Sequence, residues 1–172
     1  GGGDILMTIG MTGNQDAELG KALRTQDFRL AMSIALDREA INDTLYLGLG
    51  IPNNWVPHPG VQYYPGDEYA FKDIKYDPDR ANKILDGLGY TEKDSAGFRL
   101  RTDGSGERLS FDTVSDLGWT GDVATLMVDY WADVGLEFKD KNMQAPYTLS
   151  YAGKVSLDIA RYMSIYQANP WF

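Results

Sequence analysis

The feature that most constrains the fold is an apolar stripe in residues 120–134. Val123, Leu126, Met127, Tyr130, Trp131 and Val134 recur at helical spacing, and Gly135 closes the run. Such a stripe predicts a long helix pressed onto a core, with Tyr130 and Trp131 inside it. Before it, residues 109–114 read as a strand; after it, residues 136–139 alternate as another. Strand, helix and strand in this order predict a βαβ unit with parallel strands and a right-handed crossover.

The rest of the chain extends that unit. Residues 5–11 form a short apolar run rich in β-branched side chains and read as a strand, followed to Arg24 by a polar, glycine-containing stretch. Thr25 is placed to cap a helix reaching about Leu36, with Phe28, Ala31, Met32 and Ala35 on one face. Asp37 would cap a second helix, with Ile41 and Leu45 inward and Gly48 as its stop. Asp77-Pro78 starts a third, since aspartate caps and proline suits the first helical position; Ala81, Ile84, Leu85 and Leu88 follow, and Gly89 ends it. A hairpin is predicted from residues 98–101 through Asp103-Gly104-Ser105-Gly106 to residues 109–114. A short helix over 146–152 and a last strand over 157–163 complete an α/β fold with a mixed sheet flanked by helices. Residues 50–73 show no sustained period and hold four prolines and five aromatic residues, the composition of a loop packed over a surface.

The chain has 172 residues, which suits one domain with its own core. Its 25 acidic residues outnumber 16 basic ones, for a net charge of −9. Phosphate contacts need clustered lysine and arginine, so nucleic acid and anionic membranes are poor partners. No run of about 20 apolar residues is present to insert directly in a membrane. With no cysteine, disulfides, thiol catalysis and thiolate zinc sites are excluded.

Catalytic sets do not assemble. His58, the single histidine, sits between two prolines with no identifiable nucleophile or orienting partner, and reads as a loop residue. Neighbouring carboxylates (Asp67 and Glu68, Asp77 and Asp79, Glu92 and Asp94) fall at turns and caps. Asp140 with Asn142 lacks the other ligands of a calcium loop. Gly104-x-Gly106 lies between two strands, so it is a turn and not a phosphate cradle. No metal and no cofactor is expected.

Several segments, in fixed order, resemble the extracellular solute-binding family 5, the dipeptide, oligopeptide and nickel binding proteins. Residues 28–42, FRLAMSIALDREAIN, are similar to its "R-x-A-x-S-x-A-I-D-R" helix pair, with Arg29-Leu30-Ala31-Met32 and Ala35-Leu36-Asp37-Arg38 at the matching places. Tyr76-Asp77-Pro78-Asp79-Arg80-Ala81-Asn82-Lys83-Ile84-Leu85, continuing into Leu88-Gly89-Tyr90, resembles "Y-D-P-x-K-A-K-x-L-L". Residues 97–111 resemble the family's hairpin, Val134-Gly135-Leu136 its "I-G-I", and residues 153–160 its return strand. The likeness covers about residues 25–163.

The resemblance implies a periplasmic-binding-protein-like lobe: residues 1–172 as the C-terminal lobe of a two-lobe protein. Residues 1–24 would lie near the hinge, and 50–75 would form the long loop. Gly1-Gly2-Gly3 reads as a cut linker, and Met7-Thr8-Ile9-Gly10-Met11 departs from the family's "N-x-N" hinge pattern. It further implies a monomeric, periplasmic or extracytoplasmic component of an ABC importer, partnered by permease subunits. The ligand would be a small peptide or an oligosaccharide, bound against a second lobe. A carboxylate-based hydrolase, and a ligand-sensing receptor module on the same fold, are the alternatives.

Ligands of open α/β sheets lie beyond the carboxyl ends of the strands. That edge would carry Ser115, Asp116, Gly118 and Trp119, then Ser164, Tyr166 and Gln167, with Asn53, Asn54 and Trp55 from the proline-rich loop. Trp55 serves equally as a lid on the core, Trp119 as a helix-start staple, and Asp116 as a helix cap. Trp171 and Phe172 are expected to pack against the second lobe.

Overall fold

The structure, a computed structural model, describes residues 3–9, 16–57, 59–116, 119–143 and 157–163. Among the described residues four strands form one sheet: β1 (Gly3–Ile9), β2 (Ser110–Asp116), β3 (Glu137–Met143) and β4 (Leu157–Met163), in the order β1-β4-β2-β3. β2 runs parallel to both β3 and β4, and β1 is antiparallel to β4. The sheet is thus mixed, and β4 has the expected bounds. β1 begins two residues earlier than the sequence suggested, and β3 runs four residues past Lys139. The short helix expected at 146–152 lies outside the described residues.

The long helix, here α6 (Trp119–Asp133), joins β2 to β3. Its stripe is buried where it meets the sheet: Val123, Met127, Trp131 and Val134 are inside, with Leu126 and Tyr130 packed at the margin. Trp131 lies 4.1 Å from Phe138, which stacks on Phe111 at 4.9 Å; Phe111 in turn meets Phe28 at 5.7 Å. The Trp131 indole N–H donates to the Met32 carbonyl at 3.0 Å, so its one polar atom is satisfied where water is excluded.

Among the described residues before β2 there are four helices and one short turn of helix. α1 (Ala17–Arg24) corrects the expectation of an irregular stretch up to Arg24. Asp16 caps it through the amides of Glu18 and Leu19, and Leu19, Ala22 and Leu23 are buried. Gly20, within that glycine-containing stretch, is itself buried, on the side α1 presents to the core. α2 (Gln26–Ile34) follows with Thr25 at its start, but the Thr25 hydroxyl donates back to the Lys21 carbonyl and caps nothing in α2. α3 (Arg38–Tyr46) is capped by Asp37 as expected, and ends with Leu47 and Gly48 both left-handed. α4 (Asp67–Ala70) is a single turn inside the long loop, and α5 (Pro78–Gly87) is capped by Asp77. The expected hairpin shrinks to isolated bridges, Leu100 with Arg108 and Lys93 with Arg99.

Arg99 is the joint of this part. Only 1% exposed, it donates from Nε to the Val134 carbonyl at 2.8 Å, from Nη1 to Asp86 at 2.6 Å and to the Tyr90 carbonyl, and from Nη2 to Asn82 at 2.6 Å. A guanidinium is permanently charged, so burial requires this full set of acceptors. Through it, the hairpin, α5 and the end of α6 become one unit.

Candidate functional site

β2 and β3 lie side by side in register, so their side chains pair on one face: Phe111 with Phe138, Thr113 with Asp140, Ser115 with Asn142. Along that face chemistry changes from aromatic to polar toward the carboxyl ends. α6 crosses the same face in the opposite sense, with Trp131 over Phe138 and its first turn over Asn142. The polar end of the sheet therefore meets the start of the helix.

Three side chains are tied together there. The Ser115 hydroxyl donates to Asp140 Oδ2 at 2.7 Å and accepts from Asn142 Nδ2 at 3.1 Å. Ser115 is fully buried, while Asp140 and Asn142, on edge strand β3, keep part of their surface in solvent. Burial pushes the Asp140 carboxyl above its ordinary value, against the pull of the Ser115 hydroxyl and the Lys141 amide. Beneath Asp140, the Thr113 hydroxyl is buried and has no hydrogen-bond partner among the described residues. A Cβ on Gly121 would lie 2.0 Å from Asn142 Nδ2, so glycine is what lets α6 approach this closely.

The expected site residues are distributed as follows. Ser115 is at the strand end, but beneath the surface and already bonded on both sides. Asp116 is the last residue of β2 and Trp119 the first of α6, both at the predicted edge. Asn54 staples the long loop: its amide donates to the carbonyls of Tyr69 (3.0 Å) and Lys72 (2.8 Å), and its backbone N–H to Ala70 at 2.7 Å. Trp55 beside it is 66% exposed, so it does not serve as a lid on the core. Ser164, Tyr166 and Gln167 lie outside the described residues, as do His58, Gly118, Trp171 and Phe172.

Asp140 and Asn142 were weighed in sequence only as calcium ligands. What pointed to them is their alternation with Leu136 and Phe138: two apolar positions followed by two polar ones on one strand face. Among the described residues no group of three or more histidine, cysteine or carboxylate side chains could hold a metal. Ser115 is fully buried and bonded on both sides, to the Asp140 carboxylate and the Asn142 amide, so its oxygen is not presented to a substrate as a nucleophile. Such an arrangement offers fixed hydrogen-bonding groups and suits recognition better than bond cleavage.

The comparisons with known proteins bear on this helix-flanked sheet and its polar carboxyl edge. Residues 4–172 match the bacterial extracellular solute-binding proteins, family 5 middle region, and the chain belongs to that family. A probable ABC transporter-binding protein of Deinococcus radiodurans is 32% identical over 98 residues, covering 52% of this chain and 14% of that one. The structure of an oligopeptide-binding protein, OppA, superposes over 95% of this chain with a TM-score of 0.83 at 28% identity. A periplasmic binding protein, MelB, of Agrobacterium fabrum, in complex with stachyose, covers 91% at 0.71 and 19% identity, which speaks for the fold alone. The chain spans only 27% of the OppA structure and 25% of MelB.

Proposed function

We propose that this chain forms one lobe of the substrate-binding component of an ABC importer, working on the extracytoplasmic side and handing its ligand to permease subunits. The observation that carries the reading is the carboxyl edge of β2 and β3, where Ser115, Asp140 and Asn142 are fixed under the start of α6 on a family 5 fold. Asp116, Trp119 and Trp55 complete the ligand face in this proposal, and Ser164, Tyr166 and Gln167, which follow β4 in the sequence, are assigned to it as well. Asn54 acts there indirectly, by holding the loop that carries Trp55.

The ligand class follows from charge. A net charge of −9 and Asp140 at the edge disfavour anions and suit neutral or cationic groups with hydrogen-bonding capacity. Short peptides fit this description and are favoured by the likeness to OppA. Oligosaccharides are the second reading, favoured by the exposed indole of Trp55, since flat aromatic surfaces suit sugar rings.

A thermal-shift screen tests both. A ligand at about 100 times its Kd adds about 2.7 kcal/mol of stability, so a true ligand stands out from the panel. Tri- to pentapeptides are expected to raise the melting temperature more than stachyose does. Turnover of any of these compounds, with no accompanying shift, would replace the binding reading with the hydrolase.

A further inference from the structure

The two glycines at the ends of α6 are not alike. Gly135 ends the helix at φ +82°, a left-handed position in which glycine is favoured. Gly121 lies inside the first turn, where the backbone is helical and alanine would ordinarily be the better residue. Its reason must be sought outside the helix, and the neighbour found there is Asn142. A Cβ at Gly121 would stand 2.0 Å from Asn142 Nδ2 and 3.1 Å from its Cγ, so the amide occupies the place of the missing methyl group.

The amide is not held by the helix alone. It donates to Ser115 Oγ at 3.1 Å, and Ser115 is oriented by donating to Asp140 at 2.7 Å. β2 and β3 keep Ser115 and Asn142 directly side by side. The order of contact is therefore Asp140, Ser115, Asn142, Gly121, running from edge strand to central strand, back to the edge strand, and onto the helix. A helix start has four amides without intrahelical partners, and its position depends on whatever touches the first turn.

We infer that Asn142 is a positioning residue: its amide, aimed by Ser115, sets how closely the first turn of α6 sits on the sheet. It thereby fixes the backbone of Trp119 at the edge where the ligand is proposed to bind. The seat itself follows from the geometry; its effect on ligand rests on the reading given under Proposed function.

Reciprocal substitution tests it in the 172-residue chain. Gly121→Ala, Asn142→Ala and the double variant are compared by hydrogen exchange of the amides of residues 122–125, the first in α6 with an intrahelical acceptor. Each single change is expected to speed exchange there by about tenfold, Gly121→Ala by collision and Asn142→Ala by loss of the seat. The double variant should recover most of the protection, because the new methyl fills the space the amide has left. Slower exchange in Gly121→Ala, as helix propensity alone dictates, overturns the inference, and so do two single effects that simply add. Titration with millimolar trialanine, followed by amide resonances, separates the two levels. If exchange shows the reciprocal pattern while trialanine affinity is the same in all four chains, the seat stands and its role in ligand binding is refuted.

Discussion

The two ends of α6 solve opposite problems. At its carboxyl end everything is closed: Val134, Leu136 and Trp131 are buried, Arg99 is ringed by acceptors, and a Cβ on Gly135 would lie 2.9 Å from the Gly97 carbonyl. Polar groups at that end are consumed by the fold. At the amino end the sheet turns polar, a buried Thr113 hydroxyl has no partner among the described residues, and Asp140 and Asn142 reach solvent. One helix is thus anchored at one end and presented at the other. The proposed binding role uses both: a face that does not yield and an edge with hydrogen-bonding capacity left over.

Arg99 gives the largest test of the contrast. Arg99→Met leaves Asn82, Asp86 and the carbonyls of Tyr90 and Val134 without their donor, and should cost about 3–5 kcal/mol in urea unfolding. Loss of less than about 1 kcal/mol would mean that the closed end is not the anchor. Gly135→Ala comes next, at about 2 kcal/mol, from a strained left-handed backbone and contact with a carbonyl, read by the same denaturation.

Acid titration separates the ends by sign. At the closed end, Arg108 bridges Asp94 and Glu137 (2.7 Å to the latter). Burial raises both carboxyls, but the bonds they accept outweigh it: Asp94 from Arg108 and the Phe98 and Ala96 amides, Glu137 from Ser110, Arg108 and Lys139. Both end below their ordinary values, so their stabilisation is full above the unfolded carboxylate range and is lost as pH falls through the folded values. Asp140 is raised, so its contribution is present on the acid side and is lost as pH rises through its folded value. Asp140→Asn is therefore expected to gain on the parent as pH rises above about 4, whereas Arg108→Ala should fall behind the parent as pH rises toward about 4.5 and show no further change above it. Thermal denaturation at several pH values reads both; parallel curves for the two variants would erase the distinction.

The smallest effect is expected in the loop after α3. Leu49 is 84% exposed, and Leu49→Ser should stay within about 0.5 kcal/mol of the parent. A larger loss would show that this loop is packed more tightly than its exposure indicates.

Legibility in the sequence follows the same division. Features that depend on one segment could be read directly: the α6 stripe, the Asp37 and Asp77 caps, and the exact span of β4. Those that depend on two segments could not. Thr25 has the chemistry of a cap, yet its hydroxyl was taken by Lys21 once α1 formed ahead of it. α1 lay in a stretch read as polar and glycine-containing, and its buried Leu19, Ala22 and Leu23 show as a face only once the helix is packed. Arg99 looked like one hairpin residue among several, because its acceptors come from residues 82, 86, 90 and 134. At the edge, the strand end and helix start were foreseen, but the partnership of Ser115 with Asp140 and Asn142 depends on the β2–β3 register.

The most direct test of the central claim is a map of where a ligand acts. Trialanine titrated into the isotopically labelled chain is predicted to move the amide resonances of Ser115, Asp116, Trp119 and Asn142, while those of Arg99, Val134 and Gly135 stay in place. Saturable shifts confined to the Arg99 end, with the β2–β3 carboxyl edge unmoved, would contradict the account.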